Sequence, residues 1–272
     1  MKCALIYDFD GTLAEGDCAQ HGLLPSLGIN DIGEFWASVK KRAKVDDGDE
    51  ILSYLGLLAE AANGINSDEL SEENLIKHGM TIPLFPGVSS WFDRINAYAE
   101  QNDLELHHYI ISSGLDAMIR GTSIGNKFRN IYACKYHYSE DKKACWAAQA
   151  INYTTKTQFL FRINKGIDNS WDNAAVNKFI EPSEREMPFQ RMVYFGDGDT
   201  DIPSMKMIRN QGGFSIAVFD QKKWTAQSTQ EKVEKLIAEE RANYVVPAVY
   251  EEGSQLDITV KGLLKLFKRR KI

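Results

Sequence analysis

The chain has 272 residues, of which 43% are hydrophobic, so it can bury the core of one large domain or of one domain with an insertion. Its formal net charge of -6 gives no overall field that would attract nucleic acid or an anionic membrane. The apolar start is too short for a signal peptide, and no stretch approaches the roughly 18 apolar residues of a membrane span. We therefore expect a cytoplasmic protein with neither nucleic-acid nor membrane partners.

The first predicted element is a strand over residues 3–7, whose mostly branched and aromatic side chains are typical of a strand buried on both faces. Asp8 and Asp10 follow it directly, and Gly11 ends it. The two aspartates therefore lie at the carboxyl end of a central strand, where open α/β sheets bind their ligands. Two carboxylates at this spacing repel each other unless a cation or a shared proton offsets their charge. They indicate either a metal site or an acid/base pair.

A small helical insertion is predicted after this first strand. Apolar residues follow at helical spacing after Asp31 and after Asp49, and Pro83 marks the return of the chain to the main domain. The sequence therefore predicts two domains, a core over residues 1–14 and 84–272 and an insertion over residues 15–83.

Two later segments repeat the pattern of an apolar strand with a polar end. Residues 109–111 lead into Ser112, and residues 192–195 lead into a segment rich in glycine and aspartate that contains Asp197. Strands that alternate with helices favour a parallel sheet, in which the carboxyl ends of neighbouring strands lie side by side. Ser112 and Asp197 are therefore expected in the same cleft as the first two aspartates.

Three further segments complete the predicted sheet. Apolar runs over residues 214–219 and 244–247 indicate two more strands, with helical stretches between them. The aromatic-rich residues 132–138 are expected to form a strand or hairpin that extends the sheet. The fold class predicted from these elements is α/β with a doubly wound parallel sheet.

Taken together, the motifs resemble the signatures of the haloacid dehalogenase-like (HAD) superfamily. Residues 8–13 resemble its first signature, Ser112 after an apolar strand resembles the second, and residues 196–205 are similar to the fourth, especially as it occurs in phosphoserine phosphatase-like members. The order and spacing agree over nearly the whole chain. The resemblance implies a doubly wound, mainly parallel Rossmann-like sheet, with the helical insertion as a cap over the active site.

The resemblance also implies catalytic roles for the first two aspartates. Asp8 would be the nucleophile, because an aspartate ionised near pH 7 can attack phosphorus and form an aspartyl-phosphate without first losing a proton. Asp10 would protonate the leaving oxygen and later activate water, which requires a partly raised pKa.

The same resemblance implies a Mg²⁺ site, since Mg²⁺ prefers hard oxygen ligands and is shared with the substrate phosphate. The family pattern assigns the ion to the side chains of Asp8 and Asp197 and to the backbone carbonyl of Asp10. Asp201 would act through water or as an orienting residue. Asp199 matches no ligand position of the pattern and is expected to be a turn residue.

Two more signatures concern the phosphate. Ser112 would donate its hydroxyl to a phosphate oxygen, assisted by the backbone N–H groups of Ser113 and Gly114 at the start of the next helix. Ser113 departs from the glycine that is usual in phosphoserine phosphatase-like members. For the lysine that offsets the negative charge, Lys156 at the start of a predicted helix is favoured over Lys165 near its end, where a solvated cation suits the helix C-terminus.

The cap is expected to exclude water and to choose the substrate. Its basic run is typical of a solvated helix face, although these cations could also meet an acidic substrate group near the entrance: Lys40, Lys41, Arg42, Lys44 and His21. Phe35 and Trp36 are expected in the core of the cap rather than in a stacking platform. His107 and His108 are expected to be structural.

These features together predict a Mg²⁺-dependent phosphatase that hydrolyses a small soluble phosphomonoester through an aspartyl-phosphate. Two alternatives remain open: a phosphomutase that uses the same intermediate, and a catalytically silent binding or regulatory module on the same fold. Dehalogenation is disfavoured, because Asp10 and the acidic fourth signature serve phosphoryl transfer and metal binding. The sequence leaves the substrate and the oligomeric state open.

Overall fold

The described part of the chain, residues 1–198 and 200–270 of a computed structural model, is built around a seven-stranded sheet. Its strands, numbered along the chain, are β1 (Lys2–Tyr7), β2 (Glu105–Leu115), β3 (Asn130–Tyr138), β4 (Ala144–Gln149), β5 (Met192–Gly196), β6 (Phe214–Phe219) and β7 (Tyr244–Pro247). They lie in the order β4-β3-β2-β1-β5-β6-β7, and the pairs are parallel except for β3 and β4, which form an antiparallel hairpin. The predicted α/β fold with a doubly wound, mainly parallel sheet is confirmed. Asp199, predicted as a turn residue, lies outside the described residues.

Helices connect and flank the strands. They are α1 (Leu23–Ser26), α2 (Ile32–Val45), α3 (Glu50–Gly64), α4 (Glu72–Gly79), α5 (Val88–Glu100), α6 (Asp116–Gly121), α7 (Lys156–Lys165), α8 (Asn173–Asn177), α9 (Ile202–Asn210), α10 (Gln227–Ala238) and α11 (Gln255–Arg269). Short 3₁₀ turns lie at Cys18–Gln20, Pro182–Glu184, Phe189–Arg191 and Gln221–Lys223. Within the described ranges, no helix combines the length and the hydropathy that a membrane span requires.

Two helices of the insertion, α2 and α3, begin at aspartate caps. Asp31 Oδ1 accepts a hydrogen bond from the backbone N–H of Glu34 at 2.8 Å before α2, and Asp49 Oδ1 accepts one from Leu52 at 2.9 Å before α3. Each bond satisfies a backbone donor that has no partner within the first turn of its helix. The two helix starts predicted from the sequence therefore have a direct physical cause.

The central strand of the sheet is β1. The chain passes from it to β2 and β3 on one side, and β5, β6 and β7 follow on the other side. Every residue from Cys3 to Tyr7 is fully buried, as the apolar run predicts. The crevice at the carboxyl end of β1 is therefore the point where the strand order reverses, and open α/β sheets bind their ligands at such points.

A buried polar network links β1 to β2 and α5. Trp91 Nε1 donates to the Tyr7 hydroxyl at 2.9 Å, this hydroxyl lies 3.2 Å from His108 Nδ1, and His108 Nε2 lies 2.9 Å from Asn96 Oδ1. Because an amide oxygen can only accept, the imidazole carries its proton on Nε2 and accepts from Tyr7 on Nδ1. His108 is thus held in its neutral form inside the core.

Acidification is expected to destabilise the fold through His108. Burial lowers the pKa of His108 from 6.5 to about 3, so between these values the unfolded chain takes up a proton that the folded protein does not. The contribution of His108 to the free energy of unfolding is complete above pH 6.5. It falls as the pH drops and is about 2 kcal/mol smaller at pH 5. The carboxyl groups with raised pKa values oppose this loss, so urea unfolding at pH 7 and pH 5 measures it as the difference between the native protein and His108→Gln, in which those groups are the same. We expect His108→Gln to remove it and His107→Gln, at the neighbouring position, to keep it; equal losses in both variants would contradict the assignment.

Two helices of the insertion, α3 and α4, pack on elements outside it. α2 packs on α3, and α3 also contacts β4. α4 packs on α6 with the backbones touching, because a Cβ atom at Gly79 would overlap the carbonyl oxygen of Met118 and one at Gly121 would overlap that of Ile76. The helix that closes the insertion is therefore packed tightly against a helix of the core.

Gly121→Ala is expected to lower the free energy of unfolding by about 1–3 kcal/mol, because its methyl group has no space between α4 and α6. Gly56→Ala is the matched control, since Gly56 lies within α3 and a Cβ atom there would meet nothing within 4 Å. This control should stabilise the protein by up to about 1 kcal/mol, the difference in helix propensity. Urea unfolding of both variants measures the effect, and a neutral Gly121→Ala would contradict the close packing.

Candidate active site

Three carboxylates meet where β1 and β5 end. Asp8 follows β1 and its backbone N–H donates to Phe195 O at 2.9 Å, which continues the pairing of the two strands. Oxygen atoms of Asp8, Asp197 and Asp201 lie within 4.8 Å of one another. Gly11 allows this approach, because it has a φ of +68° and a Cβ atom there would lie 2.8 Å from Asp197 Oδ2. A side chain at position 11 would be strained and would push Asp197 away.

A buried lysine lies among these carboxylates. Lys156 is the first residue of α7 and is fully buried, with its Nζ atom 3.0 Å from Asp8 Oδ2 and 2.7 Å from Asp201 Oδ1. Burial by itself lowers the pKa of Lys156, but the charges of Asp201 and Asp8 raise it above its ordinary value, so the ammonium stays charged. It is therefore a fixed positive charge beside Asp8.

The competing lysine lies elsewhere. Lys165, at the other end of α7, donates from Nζ to the carbonyl oxygens of Val176 at 2.6 Å and Lys178 at 2.7 Å. These bonds tie the end of α7 to the segment around α8. In the structure Lys156, and not Lys165, approaches the carboxylates.

Asp201 uses both of its carboxylate oxygens within the protein. Its Oδ1 accepts from Lys156 Nζ and from the Tyr194 hydroxyl, both at 2.7 Å, and its Oδ2 accepts from the backbone N–H of Asp197 at 3.2 Å. Asp201 thus orients Lys156 and the loop that carries Asp197. The sequence analysis missed Tyr194, because a tyrosine within an apolar strand carries no signal that its hydroxyl reaches a functional group.

The carboxylates destabilise one another's ionised forms. Burial, followed by the charge of Asp201, raises the pKa of Asp8 to about 8, and Lys156 offsets only part of this. Burial also raises the pKa of Asp197, where Lys232 is the main opposing charge. The sequence analysis expected Asp8 to be ionised near pH 7, whereas this environment favours its protonated form. A divalent cation between the carboxylates would restore the charge, so the donor set fits such an ion.

Asp10 has a different environment. Its Oδ1 accepts from the backbone N–H of Cys18 at 2.8 Å, and burial and then the nearby charges of Asp17 and Asp8 raise its pKa well above the usual range. A carboxyl group with a raised pKa holds its proton more readily and can donate it to a leaving oxygen. Asp17, which the sequence analysis did not single out, is therefore an electrostatic neighbour of Asp10.

The segment after the apolar part of β2 differs from the expectation. β2 continues through Leu115 and α6 begins only at Asp116, so Ser113 and Gly114 do not lie at the start of a helix. The pairing with β3 shifts register here, which forms an irregular turn in the strand, and the N–H of Gly114 donates to Ser112 Oγ at 3.0 Å. The prediction that Ser113 and Gly114 lie at the start of the next helix is therefore wrong, because the strand pairing with β3 extends further than the apolar run.

Part of this site lines a cavity of about 500 Å³. Its floor includes Asp8, Asp10 and Asp197. Ser113 lines it, with an Oγ atom that is buried and has no hydrogen-bond partner among the described residues, whereas the fully buried Ser112 is not among the described lining residues.

The insertion and the segment after β6 form the other sides of the cavity. Trp36 lines it, although the sequence analysis placed Trp36 in the core of the cap; Phe35 is buried as expected. None of the predicted cap cations is among its described lining residues: Lys40, Lys41, Arg42, Lys44 and His21. Arg42 pairs with Glu60 instead.

Lys232 on α10 is a second functional candidate that the sequence analysis missed. It lines the cavity, and its Nζ atom lies 3.1 Å from Asp197 Oδ2. The sequence offers no signal for it, because it lies in a polar helix well beyond the last motif.

Sequence comparison finds a relative that covers nearly the whole chain. No protein-family model matches the sequence. An uncharacterized protein of Borreliella burgdorferi is 27% identical over 277 aligned residues, which cover 93% of each chain.

Solved structures share the fold at low sequence identity. A HAD family hydrolase from Salmonella enterica serovar Typhi superposes with a TM-score of 0.58 at 14% identity, over 95% of this chain and 69% of that chain. A phosphoserine phosphatase in its apo form gives a TM-score of 0.58 at 15% identity, over 96% and 98%. A probable phosphoserine phosphatase from Vibrio cholerae gives 0.57 at 15% identity, over 100% and 67%. The chain therefore has the fold of the HAD-like hydrolases, in the form found in phosphoserine phosphatases.

Proposed function

We propose that the protein is a Mg²⁺-dependent phosphatase that hydrolyses a small phosphomonoester through an aspartyl-phosphate on Asp8. The observation that carries this proposal is the cluster of Asp8, Asp197 and Asp201 around buried Lys156, of which Asp8 and Asp197 line a cavity with room for a small substrate. A nucleophile, a fixed cation and an acid side chain together are what phosphoryl transfer requires.

The proposed metal site consists of hard oxygen donors, which suit Mg²⁺. Asp8 and Asp197 would hold the ion, with the backbone carbonyl of Asp10 as a further ligand, while Asp201 orients the site. When bound, Mg²⁺ would neutralise charge on the phosphate and favour the ionised form of Asp8.

The residues then divide the reaction between them. A carboxylate oxygen of Asp8 forms a bond to phosphorus as the bond from phosphorus to the ester oxygen breaks, and the protonated Asp10 gives its proton to that oxygen. Asp10, now ionised, takes a proton from water, whose oxygen attacks the aspartyl-phosphate. Inorganic phosphate leaves, and Asp8 and the protonated Asp10 are regenerated. Lys156 holds its positive charge beside Asp8 throughout.

The remaining assignments belong to the same proposal. Residues 15–83 would be the cap domain and residues 1–14 and 84–272 the core domain. Ser112 would shape the turn that presents Ser113 and Gly114, and the unpartnered hydroxyl of Ser113 would join in holding the phosphate.

Hydrolysis of p-nitrophenyl phosphate, with Mg²⁺ and with a chelator, tests the proposal. We expect release of nitrophenol and inorganic phosphate only with the metal, and a phosphate adduct on the peptide that contains Asp8 after acid quenching. A phosphomutase would return the phosphoryl group to its sugar substrate instead of releasing inorganic phosphate. A silent module would show no metal-dependent turnover. Either of these two outcomes would overturn the phosphatase assignment.

Lys232→Met is expected to tighten Mg²⁺ binding about two- to fivefold, because a partly exposed ion pair of this kind is weak and Lys232 competes for the Oδ2 atom of Asp197. Isothermal titration calorimetry on the metal-free protein measures this change directly. Lys223→Met is the matched control, since Lys223 also lines the cavity but pairs with Asp220. Equal Mg²⁺ affinities in the two variants would show that the affinity depends on the overall charge of the cavity and that Lys232 does not compete with the ion for Asp197.

A further inference from the structure

One side of the cavity has a distinct chemical character. The insertion contributes Trp36 from α2 and Asp49 and Glu50 from the start of α3, and Tyr153 from the β4–α7 connection completes this side. We call these four residues the acidic-aromatic wall. Asn152 Nδ2 donates to Asp49 Oδ2, which holds the connection that carries Tyr153 against the N-terminus of α3.

The aromatic part of this wall is fixed in place. The ring of Trp36 stacks on Tyr54 with 5.1 Å between centroids, and Tyr54 is only 3% exposed. Trp36 is therefore supported by the core of the insertion while it lines the cavity, and a rigid aromatic surface costs little entropy when a ligand binds.

The acidic part includes one uncommitted carboxylate. Asp49 caps α3 through Oδ1 and bonds Asn152 through Oδ2, so both of its oxygens are used. Glu50 is exposed, and its carboxylate makes no hydrogen bond or ion pair with any described residue. It is free to meet a group on a ligand.

The cations of the cavity belong to other elements than this wall. Among the described lining residues, the lysines are Lys223 and Lys232, which follow β6 and pair with Asp220 at 3.8 Å and Asp197 at 3.1 Å. The acidic-aromatic wall itself offers neither lysine nor arginine. A substrate with a negative group at this end would therefore meet only like charge.

We propose that the substrate carries an amino or quaternary ammonium group at the end away from its phosphate, an inference that rests on the phosphatase function above. Aromatic faces attract such cations through the ring quadrupole, and a carboxylate adds direct charge attraction. The positive end also reduces the net negative charge of the phosphate ester, and so reduces its repulsion by the carboxylates of the cavity. A phosphoamino acid is disfavoured, because its carboxylate finds no cation on this wall.

Steady-state kinetics on the Mg²⁺-loaded protein test this inference with three esters: phosphocholine, its uncharged isostere 3,3-dimethylbutyl phosphate, and phosphoserine. We expect kcat/KM for phosphocholine to exceed that for the isostere by about tenfold, as a partly desolvated cation on an aromatic surface allows. Phosphoserine should also fall below phosphocholine. Equal values for phosphocholine and the isostere would overturn the inference.

Substitutions then locate the effect. Glu50→Gln should lower the ratio of phosphocholine to isostere about fivefold, the size of one partly screened charge contact. Glu34→Gln is the matched control: it removes an exposed acid in the first turn of α2 that is not among the described residues lining this cavity, so the ratio should not change. A ratio that Glu50→Gln leaves at the native value would overturn the inference.

Hydrolysis of p-nitrophenyl phosphate distinguishes a failure of the phosphatase function from a failure of the substrate inference. If this ester shows no Mg²⁺-dependent turnover, the phosphatase proposal fails and the substrate inference fails with it. If it is hydrolysed while the charged and uncharged esters react equally well, only the substrate inference fails.

Discussion

Asp8→Asn is expected to reduce kcat by at least about 10⁴-fold while the fold stays intact. An amide cannot form the aspartyl-phosphate, whereas it matches the size of the carboxylate and its oxygen can still accept the hydrogen bond that the Phe9 N–H donates to Asp8 Oδ1 at 2.8 Å. Initial rates with p-nitrophenyl phosphate measure the loss, and near-UV circular dichroism checks the fold.

Asp116→Asn is the control for this substitution. Asp116 also follows a central strand, at the end of β2, but it pairs with Arg120 at 2.7 Å and is not among the described residues that line the cavity. We expect this variant to keep most of its activity. Retention of activity in Asp8→Asn would mean that the proposed nucleophile is wrong.

Lys156→Met is expected to affect stability and turnover together. The substitution keeps the volume but leaves Asp8 and Asp201 buried without their shared cation, which should lower the free energy of unfolding by about 3–5 kcal/mol. The fixed positive charge beside the attacked phosphate is lost as well, so kcat should fall by about 10²–10³. Urea unfolding of the metal-free protein and initial rates measure the two effects.

Lys165→Met distinguishes this role from that of an ordinary lysine in the same helix. Its Nζ atom bonds only backbone carbonyl groups in the described structure, so we expect a loss of about 1 kcal/mol and nearly native rates. If both variants lost similar stability and activity, Lys156 would not be the residue that offsets the charge.

Most of the strands could be predicted because burial on both faces requires continuous apolar runs, whereas the more exposed β4 was not predicted. Residues 214–219 and 244–247 coincide with β6 and β7, and β1 differs from its predicted start by one residue. The end of β2 could not be predicted in this way. Its extension through Leu115 depends on pairing with β3, which is a contact distant in sequence.

The site was predictable where a motif follows a strand and not elsewhere. Asp8, Asp10 and Asp197 reach the cavity because a parallel sheet brings its strand ends together. Tyr194 and Lys232 contact the site because their side chains point towards it, and the spacing of residues in the sequence does not reveal that direction. For the same reason Trp36 was placed in the core of the cap, since helical periodicity identifies an apolar face but not the surface it meets.

The backbone contact between α4 and α6 limits how the molecule can admit a substrate. Two helices that touch at Gly79 and Gly121 cannot slide or tilt without carbonyl groups colliding, so α4 must stay with the core. A wider opening therefore requires α2 and α3 to swing as a flap, hinged in the connections over residues 27–31 and 65–71. Such a swing would break the bond between Asp49 and Asn152 together with the bond that the Tyr136 hydroxyl donates to Leu55 O, so these two bonds oppose the opening.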